Sequence, residues 1–469
     1  MNWLSFVSSC VLASALFTVK SVAFDAGEHA LIGDTAFNQT NTKLNNQITN
    51  LEMPEVSYSY GQLVALSGDM YRSVEEIALS DAKLMNGFFR RNRESLKKCI
   101  SQEIQAIRHE QDYSGCDDIR LASKKLRYIT LAHDNYTHFA WHNIKKYIEL
   151  HQQALWFANL AYLKCTQQQL EQNKAQCEQN EKRLNDIVAK SDYKKKLKSK
   201  YRKLPKLFPR KQFSQRYFRH LSKEKMTHLA LFANAAADHY LSDAFSAGHL
   251  RVPRSQIDTY VSNYAKKNQQ SDKRFEGSAV SGALTQFLHN NDGTVTGLKV
   301  TNSLNQQFVV RSDKQLFAAN NSAQMSGKVE QNNQLKQPAL AVSQSLEEVF
   351  AVLNKGEQAI PHGVYSALLH VPYLANPDKD SLSNNIATLV EQKGSVKNAL
   401  KTMSKEMQLV FKSNMVIEDI DDEQYFGDFI KYIPKLMENL REQIATESAN
   451  ATLQKRIPEK LLNALKTIK

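Results

Sequence analysis

Beyond residue 23 the chain has no apolar run long enough to cross a bilayer, so it offers no candidate transmembrane helix. No two cysteines stand at C-x2-C spacing, which removes the common cysteine-based zinc arrangements. No internal repeat is present, which sets aside solenoids and propellers. Lys and Arg are missing ahead of the apolar stretch 3–19, an unusual start for an export signal. Acids are missing between Lys194 and Lys211, which leaves ten Lys or Arg unopposed there.

In bulk the composition is ordinary. The 469 residues suffice for a large core and for two units rather than one. A hydrophobic content of 42% and a charged content of 23% are those of a globular protein. A net charge of +13 favours encounter with anions: phosphate groups, nucleic acid or anionic membrane surfaces. The opening "MNWLSFVSSCVLASALFTVKSVAFDAGEH" reads as a secretory signal over residues 1–23, with small residues at Ser21-Val22-Ala23 and Phe24 as the first mature residue. A secreted or periplasmic protein of bacterial origin is expected. Cleavage removes Cys10 and leaves Cys99, Cys116, Cys165 and Cys177, an even number that argues for two disulfides. Of the three pairings, Cys99–Cys116 and Cys165–Cys177 each close a short polar loop between helical segments.

From Ala26 to about Phe245 apolar residues recur at three and four spacing, as in "LVALSGDMYRSVEEIALSDAKLMNGFF" and "HFAWHNIKKYIELHQQALWFANLAYLKC", so a mainly α fold is expected. The basic stretch "KKKLKSKYRKLPKLFPRK" is either a solvated linker or, since apolar residues lie among the charges, a membrane-surface patch. Residues 268–338 are rich in Asn, Gln and Ser, and "GTVTGLKVTNSLNQQFVVRS" alternates like one or two strands with a turn. From about Leu340 onward the pattern is helical again, with a helical extension of unassigned role over 361–469.

One segment concentrates chemistry: "NAAADHYLSDAFSAGHLRVPR". His239 and Asp243 are one helical turn apart and lean over the same face. The Ala- and Leu-rich stretch from Lys223 to Phe245 reads as a buried helix, Gly248 as its stop and His249 as a turn residue just beyond. A core histidine paired with a carboxylate would give the same H-x3-D. The third donor so close by points to a metal. His29 in "FDAGEHALIGDTAF", Asp69 in "ALSGDMYRS" and His138 in "NYTHFAWH" can complete the donor set. Imidazole mixed with carboxylate suits zinc, whereas magnesium or calcium takes nearly all-oxygen sets.

On "FDAGEH", "LVALSGDMY", "THF" and "DHYLSDAFSAGHLRVPR", in that order, the chain resembles the bacterial zinc-dependent phospholipase C family, in the branch of Legionella and Pseudomonas type. Single-strand-specific zinc nucleases share that family's fold. The resemblance covers residues 24 to about 350 and implies a helical catalytic domain over 24–350 with a small β-containing insertion. It further implies three Zn2+. Phe24 would bind through its free amine and carbonyl, beside His29; the family usually begins with Trp there. Asp69, His138 and His239 would hold a second zinc, Asp243 would bridge the two, and His249 would belong to a third with His289 and Asp292. Asp69 would also be the general base. His362 and His370 compete with His289, although their spacing suits a core helix better. His109, His133, His142, His151, His220 and His228 are expected to be packed or surface histidines, with His142 sharing the face of His138. Arg251 and Arg254, after the ligand turn, could hold phosphate, although two surface arginines need no such role.

Three functions follow as expectations. The first is a secreted phospholipase C acting on a phospholipid substrate at a membrane surface, without nucleic acid as partner. The second is a zinc-dependent nuclease on the same fold, which would want aromatic platforms for bases beside the metals. The third is a non-catalytic exported membrane-binding protein.

Overall fold

The computed structural model describes residues 25–43, 51–53, 56–67, 87–109, 111, 135–191, 221–267, 281–292 except 283, 286 and 290, 297–311, 316, 334–382 and 423–468. Helices dominate, as the three- and four-spacing requires. They are α1 (Ala26–Lys43), α2 (Tyr60–Leu66), α3 (Gly87–Arg108), α4 (Trp141–Leu163), α5 (Lys174–Lys190), α6 (Lys223–Asp243), α7 (Arg254–Lys267), α8 (Lys336–Lys355), α9 (Glu423–Ser448) and α10 (Glu459–Lys466), with shorter turns between. The protein is mainly α with a small β insertion.

Helix α6 is the axis of the fold. Ser222 caps it by accepting from the Lys225 N–H, and Glu224 sits in the first turn, where a negative charge meets the positive end of the helix. From Leu229 to Asp243 every side chain is buried, because α4, α8, α2 and α1 pack around it. A helix covered on all sides can keep polar groups only where they are satisfied. Those of α6 fall in one stripe: Asn234, Asp238, His239, Ser242 and Asp243.

The lower half of that stripe ties four helices together. Asn234 donates through Nδ2 to Asp238 Oδ2 and to the Tyr60 hydroxyl, both at 2.9 Å, and Tyr60 donates to Asp238 at 2.6 Å. Asn234 Oδ1 accepts from His151 Nδ1 at 2.7 Å, and His151 Nε2 lies 2.8 Å from Glu348 Oε2. Burial alone would raise the Glu348 carboxyl; the His151 imidazole and the Ser366 N–H outweigh it and hold it below the ordinary glutamate value. A depressed carboxylate contributes stability above its unfolded pKa of ~4.3 and loses it as pH falls through the lower folded value. Glu348→Gln is therefore expected to cost about 1.5–3 kcal/mol at pH 7. The gap from wild type should narrow in denaturation curves taken below about pH 4. A gap independent of pH would mean that Glu348 acts through shape alone.

Helix α1 lies directly on α2. A Cβ on Gly61 would sit 1.8 Å from the Ala30 carbonyl oxygen, so only glycine allows this approach. Asp34 of α1 accepts from Gly61 N at 2.7 Å and from Ser59 Oγ at 3.1 Å, and Ser59 forms a capping box with Gln62. The first turn of α1 is tied in turn to α3, where Glu103 accepts from the Gly27 N–H at 2.7 Å.

The β insertion is a hairpin of β3 (Leu298–Thr301) and β4 (Gln307–Val310), with Leu298 opposite Val310. Its turn is organised by Asn302, whose Oδ1 accepts from the N–H groups of Leu304 and Gln306. The expected strands and turn are thus present. A third strand, β5 (Tyr373–Leu374), pairs with β3 from much further along the chain. Beside it, His362 stands in a bend and His370 in the turn that caps the 3-10 helix Ser366–Leu369 rather than in a core helix, because Pro361, Gly363 and Pro372 interrupt any longer helix. A second hairpin pairs β1 (Leu51–Met53) with β2 (Val56–Tyr58).

In the C-terminal segment, α9 buries Phe429, Ile433, Leu436, Met437, Leu440 and Ile444 along one face, in the same apolar core as α4 and α6. Glu447 near its end accepts from Trp141 Nε1 at 2.6 Å and from Lys145 at 3.1 Å. The disulfide Cys165–Cys177 joins the end of α4 to α5. Cys99 is disulfide-bonded too, and Cys116 lies outside the described residues. No helix among the described residues is long and apolar enough to cross a membrane. The signal stretch 1–23 and the basic stretch 194–211 lie outside them.

Candidate metal centre

The upper half of the α6 stripe opens onto four imidazoles. His239 and Asp243 come from the last turn of α6, and His29 from the first turns of α1. His138 comes from the 3-10 turn Asn135–His138, and His249 from the short helix Ala247–Leu250. All are buried. Helix α6 ends at Asp243, two residues earlier than its composition indicates, with Ala244 as a right-handed cap. Gly248 is not its stop. A Cβ there would lie 1.9 Å from the His289 ring, so glycine makes room for that histidine to pack across the short helix.

Asp243 is the hub. Its Oδ1 faces His29 Nε2 at 3.4 Å and His249 Nδ1 at 3.5 Å; its Oδ2 faces His138 Nδ1 at 2.7 Å and His239 Nε2 at 3.8 Å. Each oxygen thus meets its own pair of imidazoles. His239 Nε2 lies 3.3 Å from His138 Nδ1, and the rings of His29 and His239 stack at 4.2 Å. Four donors held tetrahedrally ~2.1 Å from a zinc ion stand ~3.4 Å from one another, which is the scale of most of these separations. The 2.7 Å contact of His138 is instead a hydrogen bond, which an incoming cation would replace. One ligand atom each from His29, His239 and Asp243 lie within 4.8 Å of one another, and this buried trio can hold a metal ion.

Electrostatics favour a cation as well. Burial would push the Asp243 carboxyl up, but the imidazoles of His138, His239 and His249 hold it well below the usual range, so it stays an acceptor. Its neighbour Asp238 goes the other way: burial raises it to about 7 despite the Tyr60 hydrogen bond. His142 is lowered to about 4 by burial, and is packed against Tyr136 rather than turned to the cluster.

The chain between His138 and α4 is strained at Ala140, which has φ 47° and donates its N–H to the His249 carbonyl at 2.7 Å. That bond fastens two donor segments from distant parts of the sequence. The carbonyl of Val64 at the end of α2 accepts from His239 Nδ1 at 3.1 Å. No side-chain pattern could have revealed it, because the group is backbone.

Of the nine expected ligands, His29, His138, His239, Asp243 and His249 meet at one point. His289 reaches His249, with ring centres 5.3 Å apart. Asp292 is buried and gripped by Arg251, from Nε at 2.9 Å and from Nη2 at 2.5 Å. Phe24 and Asp69 lie outside the described residues, as do His133 and His220. Arg251 and Arg254 are both buried and engaged within the protein. The first is fully buried against Asp292, and the second donates to Thr285 at 2.8 Å and pairs with Asp258. His151 is the core histidine of the Glu348 network, His228 packs on Phe232 and His109 is exposed. No protein family matches the chain, and no curated protein or solved structure does either.

Proposed function

We propose that this protein is an exported zinc-dependent phospholipase C, which hydrolyses the glycerol-side phosphodiester of glycerophospholipids such as phosphatidylcholine. The products are diacylglycerol and a phosphorylated head group. The observation that carries this reading is the buried Asp243 carboxylate, whose two oxygens between them face four imidazoles, those of His29, His249 and His239 at zinc-ligand scale and that of His138 in a hydrogen bond. A carboxylate with imidazoles at both oxygens could offset more than one cation. In this reading His29 and Phe24 hold one zinc, Asp69, His138 and His239 hold another, and His249, His289 and Asp292 hold a third.

When bound, zinc supplies Lewis-acid polarisation of the phosphodiester oxygens and a nucleophile at neutral pH. The chain's own groups do the rest. Asp69 orients the attacking water and takes its proton. Asp243 would offset the positive charge of the ions. The net charge of +13 favours approach to an anionic lipid surface.

Metal analysis and two parallel substrates test this. Purified protein is expected to carry zinc and to release diacylglycerol from phosphatidylcholine vesicles while leaving single-stranded DNA intact. Chelation should abolish turnover, and Zn2+ but not Mg2+ should restore it, because imidazole-rich sets select borderline ions. Cleavage of the DNA instead of the lipid would move the reading to a nuclease. Vesicle binding by zinc-free protein without hydrolysis would leave only a membrane-binding role.

A further inference from the structure

Whether His29 can serve a metal depends on which of its nitrogens carries the proton. Its Nδ1 lies 2.8 Å from the Ser242 hydroxyl, and its Nε2 faces Asp243. A hydroxyl both donates and accepts, so this contact alone does not fix the proton. The surroundings of Ser242 do. Its Oγ is 2.8 Å from the Asp238 carbonyl and 2.9 Å from the His239 carbonyl, and carbonyls only accept. With the hydroxyl proton directed to those carbonyls, Oγ is left as an acceptor for an Nδ1–H on His29. That tautomer makes two good hydrogen bonds. The other would aim Nε2–H at Asp243 Oδ1 across 3.4 Å, beyond the usual range.

We infer that Ser242 is a positioning residue: its hydroxyl, oriented by the α6 carbonyls, holds the proton of His29 on Nδ1 and so presents the Nε2 lone pair to the site shared with Asp243. The inference rests on reading the cluster as a metal centre and adds the group that prepares one ligand of it. The Val64 carbonyl does the same for His239. Two imidazoles from separate helices are thus set to offer Nε2, each by an acceptor on a helix other than its own.

The decisive measurement uses metal-free protein with 15N-labelled histidine, in which long-range proton–nitrogen correlations read each tautomer. Wild type should show His29 protonated on Nδ1. In Ser242→Ala, His29 should move to the Nε2–H form while His239, held by Val64, stays unchanged. Zinc affinity, measured by competition with a chromophoric chelator, should fall about 10–100-fold. Ser242→Thr keeps a hydroxyl that can bond the carbonyl one turn back, so it should restore both the tautomer and the affinity. His29 still protonated on Nδ1 in Ser242→Ala would overturn the inference, as would a tautomer change with zinc affinity intact. Should wild type take up no zinc, the metal reading fails, and the tautomer comparison, made without metal, still decides the role of Ser242.

Discussion

On the proposed reading as a zinc phospholipase C, Asp243→Asn is expected to lose more than one equivalent of zinc per folded molecule and to lower phospholipid turnover by orders of magnitude. The reason is the double duty of its two oxygens. One faces His29 and His249, the other His138 and His239, and the carboxyl is held in its charged form although it is wholly buried. An amide supplies one acceptor oxygen and a pair of N–H donors, so one imidazole pair would meet a donor where it needs a negative charge. Two divalent ions a few Å apart would also lose the charge that offsets them. Both ions should weaken together, and with them the polarisation of the phosphodiester. A structural Asp243 would behave otherwise. Breaking its buried hydrogen bond to His138 would cost about 1–3 kcal/mol while zinc content and turnover of the folded fraction stayed intact. Zinc per folded molecule, measured beside activity, separates these patterns, and unchanged zinc in a folded Asp243→Asn protein would defeat the bridging role.

That Asp243 and His239 share a face was legible because it follows from helical spacing, which depends on local sequence alone. The buried character of α6 was legible for the same reason, from its run of Ala and Leu. The approach of His29, His138 and His249 to Asp243 is a tertiary matter. In the sequence it rested on a resemblance between short motifs, and geometry now supplies distances for it. Other parts could not be read. Val64 acts through a backbone carbonyl and leaves no side-chain mark. Ser242 stood in plain view beside Asp243, but a serine inside a helix usually bonds only its own backbone, and its contact to His29 spans 213 residues of chain. Gly248 looked like a helix stop by composition, whereas its real constraint is the ring of His289 lying across it.

The burial of the two arginines after Gly248 was hidden for a related reason. Beside a candidate phosphate site a surface Arg and a buried one read alike, and only packing tells them apart. Arg251 is among the largest fully buried side chains, and its charge faces Asp292, while its Nη1 donates to the Asp380 carbonyl. Cα atoms near residues 251, 292 and 380 are brought together only by the tertiary fold, so no local pattern announces the pair.

Arg251→Met is accordingly expected to destabilise the metal-free protein by about 3–5 kcal/mol, since it strands a fully buried carboxylate. Burial already raises the Asp292 carboxyl, with Arg251 pulling it back down. Without the guanidinium it should rise further. A folded pKa raised above the unfolded value of ~3.9 costs stability increasingly as pH rises, so the loss should be small near pH 4 and full at neutral pH. Arg251→Met with Asp292→Leu removes both charges and should recover most of the loss, as replacement of a whole buried pair commonly does. The same variant decides the third zinc. If Asp292 is one of its ligands with His249 and His289, a bound cation takes over the charge that the guanidinium supplied. Saturating zinc should then stabilise Arg251→Met more than it stabilises wild type, by linkage. Denaturation of the single and double variants, with and without zinc, reads both effects. A loss in Arg251→Met that zinc leaves untouched would strike Asp292 from the ligand set and leave it as one half of a buried ion pair.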